Sequence, residues 1–367
     1  MHANSLPRRR AFALVAAVAL LAGPLGARPV AAQAACPDPV PESEWSEIVP
    51  LATESMMIDV TPVGSSMYAV GDRGQVLFSA DQGQSWKQQV TPTRSMLTAV
   101  WFADESHGWA VGHDAVILRT ENGGETWCRA HWAPELEKPL FDVWFADRSH
   151  GFAIGAYGYF LHTEDGGLTW TEEMLNLVEA EEEMPAGTEE GGDAGDDWGM
   201  DDWDEDFNEG GDFHLNKIVL TGTDRMYIAA EAGSIYRSDD GGESWLQLDS
   251  PYDGSFFSGI HLQGDSLLIF GLRGNMFRTD DAGETWRRID LPVDTSLFGG
   301  TRLEDGTVLV VGGSGVVLVS REGDSFRLVQ RPDRKVIVTV QPAGDDGIVA
   351  VGEPGVERIE RSELAAK

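Results

Sequence analysis

Short apolar runs recur along the chain, separated by clusters rich in Gly, Asp, Ser and Thr. Residues 96–103 (MLTAVWFA), 108–112 (GWAVG) and 115–120 (AVILRT) show the unit. Each run is rich in β-branched and aromatic residues, and each is bounded by turn formers. That pattern predicts three β-strands, with a fourth starting at Thr126 after the polar turn TENGGETW (120–127). Relatives of this turn recur as SADQGQSW (79–86), TEDGGLTW (163–170), SDDGGESW (238–245) and TDDAGETW (279–286). Their closing tryptophans, Trp86, Trp127 and Trp170, stand 41 and 43 residues apart; Trp245 follows after 75, and Trp286 after another 41. Four strands per period of about forty residues predict one propeller blade per repeat.

The turn explains its own composition. Asp81, Asn122, Asp165, Asp240 and Asp281 each supply a side-chain oxygen that accepts hydrogen bonds from nearby backbone N–H groups, and the glycines supply positive φ. The tryptophan then enters the outer strand, where it can pack between blades; losing such a buried aromatic costs roughly 3–5 kcal/mol. These residues are assigned a structural role rather than a catalytic or calcium-binding one.

A second landmark counts the blades. The turn between the second and third strands reads GDRG (71–74), GHDA (112–115), GAYG (155–158), EAG (231–233), GLRG (271–274), GGSG (312–315) and GEPG (352–355), seven in all. The sixth repeat has a degraded box, SREGDSF (320–326), with Phe326 in the tryptophan position. The seventh has three strands, near 335–340, 347–352 and 355–360. Trp45, 41 residues before Trp86, places an N-terminal strand in the register of its missing fourth. The fold expected is an all-β, seven-bladed propeller of four-stranded blades over 44–361, closed by the N-terminal strand completing the last blade.

Composition adds location and charge. Arg8, Arg9 and Arg10 precede an apolar run from Ala11 to Ala22, and Ala32-Gln33-Ala34 fits a cleavage site. Residues 1–34 therefore read as an export signal, with 35–43 as an extension and a periplasmic or envelope destination. Gln33 stands where a lipoprotein signal carries a large aliphatic residue, which argues against lipidation at Cys36. Cys36 and Cys128 are the only cysteines. With Trp45 on blade seven, Cys36 would have to reach roughly 30 Å to the outer strand of blade two. This geometry argues against a disulfide.

The formal charge is −34, and 18 acidic residues with no Lys or Arg fall between Glu172 and Asp212. Such a surface disfavours nucleic acid. Residues 176–212 are expected to form an acidic, disordered insert between blades three and four. Trp198, Trp203 and Phe207 within it suit docking onto a partner. Asp202, Asp204 and Asp206 imitate the start of an EF-hand, but Phe207 occupies the position that requires glycine, so no metal site is assigned.

The turns between second and third strands open on one end of the ring. Arg73, His113, Asp114, Tyr157, Arg273 and Glu353 are thereby placed around one mouth of the central channel as the candidate partner-binding site. No nucleophile elbow, Cys-x-x-Cys or repeated histidine spacing occurs, so no cofactor, metal or catalytic set is assigned. Sialidase-like glycoside hydrolases also carry these boxes and form the alternative reading, as a carbohydrate-active or carbohydrate-binding propeller. Their Phe/Tyr-Arg-Ile-Pro motif is absent: Phe277-Arg278 and Phe326-Arg327 are not followed by Ile-Pro.

The strings HGWAVG…ILRTENGGETW (107–127) and HGFAIG…FLHTEDGGLTW (150–170) resemble the photosystem II stability/assembly factor family. The resemblance implies a seven-bladed, non-enzymatic, exported scaffold that binds a membrane-associated protein partner, a photosystem or transporter-like complex, without itself inserting into the membrane. It also implies an arginine-bearing patch, to which Arg73 and Arg273 correspond.

Overall fold

The computed structural model describes residues 39–179, 213–222 and 224–365, all within one compact unit. Seven sheets, all antiparallel apart from one added two-residue strand, follow one another in chain order, with helix limited to single turns and the segment Arg361–Ala365. The chain is an all-β, seven-bladed propeller. In blade one the strands are Met57–Val63, Ser66–Gly71, Val76–Ser79 and Lys87–Gln89, paired in sequence order from the inner to the outer strand. The other blades repeat this order.

Each sheet presents apolar residues on both faces, so the core is divided into seven layers, one between each pair of neighbouring blades. Trp109, Val111 and Ile117 of blade two pack on Val143, Phe145 and Leu161 of blade three, for example. Met57, Met67 and Leu77 of blade one pack on Val349 and Val351 of blade seven, which closes the ring. Full burial of such side chains is worth about 1.5–3 kcal/mol each, so these layers carry most of the stability.

The tryptophan-ending turns act as expected. The Ser79 hydroxyl donates to Asp81 (2.8 Å) and accepts from the Gly83 N–H (2.8 Å), while Asp81 accepts from the Ser85 N–H (2.8 Å) and hydroxyl (2.6 Å). Asn122, Asp165, Asp240 and Asp281 repeat the arrangement. In blade six only the link from the Gly323 N–H to the Ser320 hydroxyl survives (2.9 Å). Trp127 and Trp245 are buried, whereas Trp86, Trp170 and Trp286 are half-buried against interblade layers. Three of these turns are also fastened to the preceding blade: the Tyr68 hydroxyl donates to the Gly123 carbonyl (2.7 Å), Trp109 to that of Gly166 (2.9 Å) and Tyr227 to that of Ala282 (3.0 Å).

Closure differs from expectation. Blade seven has three strands, Ile337–Ala343, Gly347–Gly352 and Gly355–Glu360, and the segment at Trp45 does not pair beside the last of them. Residues 45–49 instead lie along the outer strand of blade one. There Ser46 and Thr91 bond reciprocally (both 2.9 Å), and the Gln88 amide bonds Glu47 and Val49 (both 2.9 Å). Further upstream Glu44 pairs with Arg129 of blade two (2.7 Å). This path also corrects the expectation for the cysteines. Cys128 is disulfide-bonded, and Cys36, the only other cysteine in the chain, lies outside the described residues. The extension passes close to Cys128, not two blades away, so the expected long reach does not arise.

Leu177–Val178 adds to blade four as a fifth strand, parallel to Trp245–Leu246. A strand thus lies just past residue 176, where the insert was expected to begin. The remaining insert, with Trp198, Trp203 and Phe207, lies outside the described residues, as does the expected signal.

Candidate functional site

Six turns between second and third strands are single-turn 3-10 segments: Asp72–Gly74, His113–Ala115, Ala156–Gly158, Glu231–Gly233, Leu272–Gly274 and Gly313–Gly315. The middle residue of each is left-handed: Arg73 (φ 54°), Asp114 (60°), Tyr157 (55°), Ala232 (52°), Arg273 (57°) and Ser314 (55°). A non-glycine residue in this conformation costs about 1–2 kcal/mol, and such strain gathers at functional positions. The surroundings enforce it. At Gly74 a Cβ would stand 2.2 Å from the Thr93 carbonyl oxygen, so the chain linking blades one and two presses on the turn and holds it. Each of the six turns also rests against the inner strand of the next blade, which brings their middle residues around the channel mouth.

Of the expected site residues, Arg73, His113, Asp114, Tyr157, Arg273 and Glu353 are all exposed at this end. Glu353 sits in a different, two-residue hairpin between Gly352 and Gly355, where its carboxylate accepts from the Val336 N–H (2.8 Å). Asp114 accepts from the Ser95 hydroxyl (2.5 Å). Tyr157, 53% exposed, meets the His214 ring edge-on at 4.9 Å, and Phe141 lies 5.6 Å from the same imidazole. Among the described residues Arg73 has only the half-buried Asp72 as a partner (3.4 Å). These six therefore offer two arginines, a histidine, a tyrosine and two carboxylates already engaged by the scaffold.

Two features escape sequence reasoning. Every inner strand shifts register one residue after its start, at Ile58, Thr98, Phe141, Asn216, Phe257, Phe298 and Val338. These bulged residues are half-buried and form a mostly apolar collar at the turn-bearing end, with Phe257 stacked on Phe298 at 5.7 Å. Below it Asp59 bonds the Val100 N–H (3.0 Å), and Asp142 bonds both the Ile218 N–H (2.9 Å) and Lys217 (3.0 Å). Burial raises the Asp59 carboxyl above its ordinary range. Burial works against the charge on Lys217, yet Asp142 and Asp59 hold its ammonium protonated well beyond the usual value. These cross-blade bonds tie inner strands together. Among the described residues no cluster of His, Cys, Asp and Glu is arranged to hold a metal ion, and no helix is long and apolar enough to cross a membrane.

The family model for the photosynthesis system II assembly factor YCF48 matches residues 85–135 and 130–186. The chloroplastic photosystem II stability/assembly factor HCF136 of Cyanidioschyzon merolae is 46% identical over 48 residues, 12% of this chain and 11% of that protein. The chain thus spans about a tenth of the length of the curated relative it matches. Among solved structures, YCF48 bound to D1 peptide superimposes with a TM-score of 0.63 at 15% identity, covering 86% of this chain and 96% of that one. A GH74 xyloglucanase from Xanthomonas campestris gives 0.60 at 14% identity, over 86% of this chain and 53% of that one. The two structural likenesses show the propeller fold. The sequence match through blades two and three supports the resemblance to the photosystem II assembly factors.

Proposed function

From this resemblance we propose that the propeller is an exported, non-enzymatic scaffold whose turn-bearing end binds a polypeptide segment of a membrane-associated complex. The observation that carries the reading is the set of six exposed left-handed residues on rigid turns encircling an apolar collar. Such a surface offers one variable side chain per blade at fixed spacing, which suits recognition of an extended segment by several contacts at once. Preorganisation limits the ordering cost of binding.

A binding role is favoured over catalysis because Asp114 and Glu353, two of the carboxylates at the mouth, are each held by scaffold donors, and Asp72 and Glu231 in the same turns lie beside Arg73 and His214. One structural neighbour, YCF48 bound to D1 peptide, supports a peptide as the bound form. Export is supported by the reading of residues 1–34 and by the disulfide on Cys128, since disulfides persist in oxidising compartments. The test is capture of partners from envelope membranes by the wild type and by an Arg73→Glu, Arg273→Glu double variant. A fall of tenfold or more in captured partner at unchanged melting is expected. Equal capture by both proteins contradicts the proposal.

A further inference from the structure

Three departures from the repeat meet between blades five and six, at the end of the ring that carries the tryptophan-ending turns. The first concerns packing. The last residue of the inner strand is Phe102 in blade two, opposite Gly108, and Phe145 in blade three, opposite Gly151. Each stacks on an aromatic of the preceding blade, Phe102 on Tyr68 at 4.2 Å and Phe145 on Trp109 at 3.4 Å. In blade six the same position, opposite Val308, is Arg302, and the residue of blade five in the register of Tyr68 and Trp109 is Leu268. A leucine and a cation thus replace an aromatic pair.

The second departure reverses a charge. The residue after the opening Ser or Thr of the turn is acidic in blades two to five: Glu121, Glu164, Asp239 and Asp280. Three of these pair with an arginine on their own third strand, as Arg119–Glu121, Arg237–Asp239 (3.0 Å) and Arg278–Asp280 (2.6 Å). Blade six has Arg321 in the acid's place and Val319 in the arginine's. The third departure is length. The Ser320 hydroxyl accepts from the N–H three residues on, at Gly323, where the Ser79 hydroxyl accepts from Gly83, four residues on. The turn of blade six is one residue tighter.

Together these changes leave a pocket of about 270 Å³ lined by Arg278, Arg302 and Arg321. Gly306 brings the last two together: a Cβ there would stand 3.7 Å from both the Arg302 guanidinium and the Arg321 carbonyl oxygen. Arg278 is committed, to the Glu322 carbonyl (2.8 Å), Asp280 and Asp324, and Arg287 also holds Asp324. Among the described residues Arg302 and Arg321 have no ion pair or side-chain hydrogen bond. The chain has 61 acidic residues against 27 lysines and arginines, so two arginines without a carboxylate partner in one pocket run against its composition. The Glu322 carboxylate is the other uncommitted charge of the lining, and two guanidiniums against one carboxylate leave the pocket positive.

We propose that this pocket binds a phosphate group, on the end of the ring opposite the partner-binding turns. A carboxylate has two oxygens and one charge, which a single guanidinium satisfies as a bidentate pair. A phosphomonoester carries three acceptor oxygens and a charge of about −1.5 to −2 at neutral pH, so it engages Arg302 and Arg321 together. The volume falls below the roughly 300–1,000 Å³ of sites that enclose drug-sized ligands. The pocket therefore holds the phosphate and few atoms beyond it, and the rest of the ligand lies outside. The phosphate belongs to a soluble phosphomonoester or to a phospholipid headgroup.

Calorimetric titration of the full chain with inorganic phosphate and with glycerol 3-phosphate, at constant ionic strength, tests this. Saturable binding is expected, weakened at least tenfold in an Arg302→Gln, Arg321→Gln variant. Both side chains are exposed, so its melting should be unchanged. An Arg288→Gln, Arg334→Gln variant makes the same charge change at exposed arginines outside the pocket and should bind as the wild type does. Flotation with phosphatidylcholine vesicles, with and without phosphatidic acid, separates the two sources. Flotation of the wild type but not of the Arg302, Arg321 variant, and only with phosphatidic acid, assigns the phosphate to a lipid; titration binding without flotation assigns it to a soluble ester. Absence of saturable binding overturns the proposal. Equal weakening in the two double variants, or acetate competing as well as phosphate, also overturns it.

Discussion

The Tyr68 hydroxyl of blade one donates to the Gly123 carbonyl in the tryptophan-ending turn of blade two, at 2.7 Å. The phenol is buried between Phe78 and Phe102, and that burial, with Glu105 and Glu125 nearby, pushes its pKa up to about 12. It therefore stays a donor at any working pH. Removing it leaves the Gly123 carbonyl without this donor, at a cost of about 1–2 kcal/mol. Tyr68→Phe should melt a few degrees lower with partner capture unchanged. An unaltered melting temperature would mean that the turn is held by packing alone.

Two glycines of the repeated turns separate backbone strain from steric conflict. Gly83 (φ 79°) would place a Cβ 2.3 Å from Val349 across the closure between blades one and seven, whereas Gly241 (φ 79°) has nothing within 4 Å. Gly241→Ala should cost only the left-handed penalty, about 1–2 kcal/mol. Gly83→Ala adds overpacking of about 1–3 kcal/mol. Denaturant melts of both variants check the ranking, and equal losses contradict the reading of the closure.

The acid dependence of the turns follows from their hydrogen bonds. At Asp281 the Thr285 hydroxyl, the Thr285 N–H and the Thr279 hydroxyl lower the pKa to about 2; at Asp81 the Ser85 hydroxyl and N–H and the Ser79 hydroxyl do the same. A carboxyl whose folded pKa lies below its unfolded value of about 3.9 contributes fully above that value, and its contribution is lost as the pH falls through the folded pKa. Carboxyl NMR titration should find Asp81 and Asp281 still ionised at pH 3. Midpoints near 4 would contradict the geometry.

The blades were legible because the tryptophan spacing records a repeat that the first three strands of all seven blades obey. The closure was not. A repeat says what residues 45–49 are able to pair with, but they are held by the Ser46–Thr91 bonds, the Glu44–Arg129 pair and Arg94, all contacts outside the pattern. At the mouth, Arg73, Tyr157 and Arg273 were readable from the glycines that follow them. Phe141 and His214 were not, because a bulge arises from the register between two strands, and His214 reaches Tyr157 only when blades three and four stand side by side.

Replacing residues 180–212 by a short Gly/Ser linker should leave melting within a few degrees of the wild type, because blades three and four are complete in the described residues on either side. Partner capture should lose part of its salt dependence, since exposed charge is screened by salt. Trp198→Ser, Trp203→Ser and Phe207→Ser together separate aromatic docking from charge. A collapse in melting would assign the segment to the propeller core.

The central claim is that the turn-bearing end of the ring meets a polypeptide partner. Its most direct test is site-specific photocrosslinking in envelope membranes, with the probe at Tyr157 or Arg273 on that end and at Leu168 in a tryptophan-ending turn on the other. Protein adducts from Tyr157 and Arg273, with few or none from Leu168, are the predicted result. Adducts from Leu168 alone, or equally from all three positions, would contradict it.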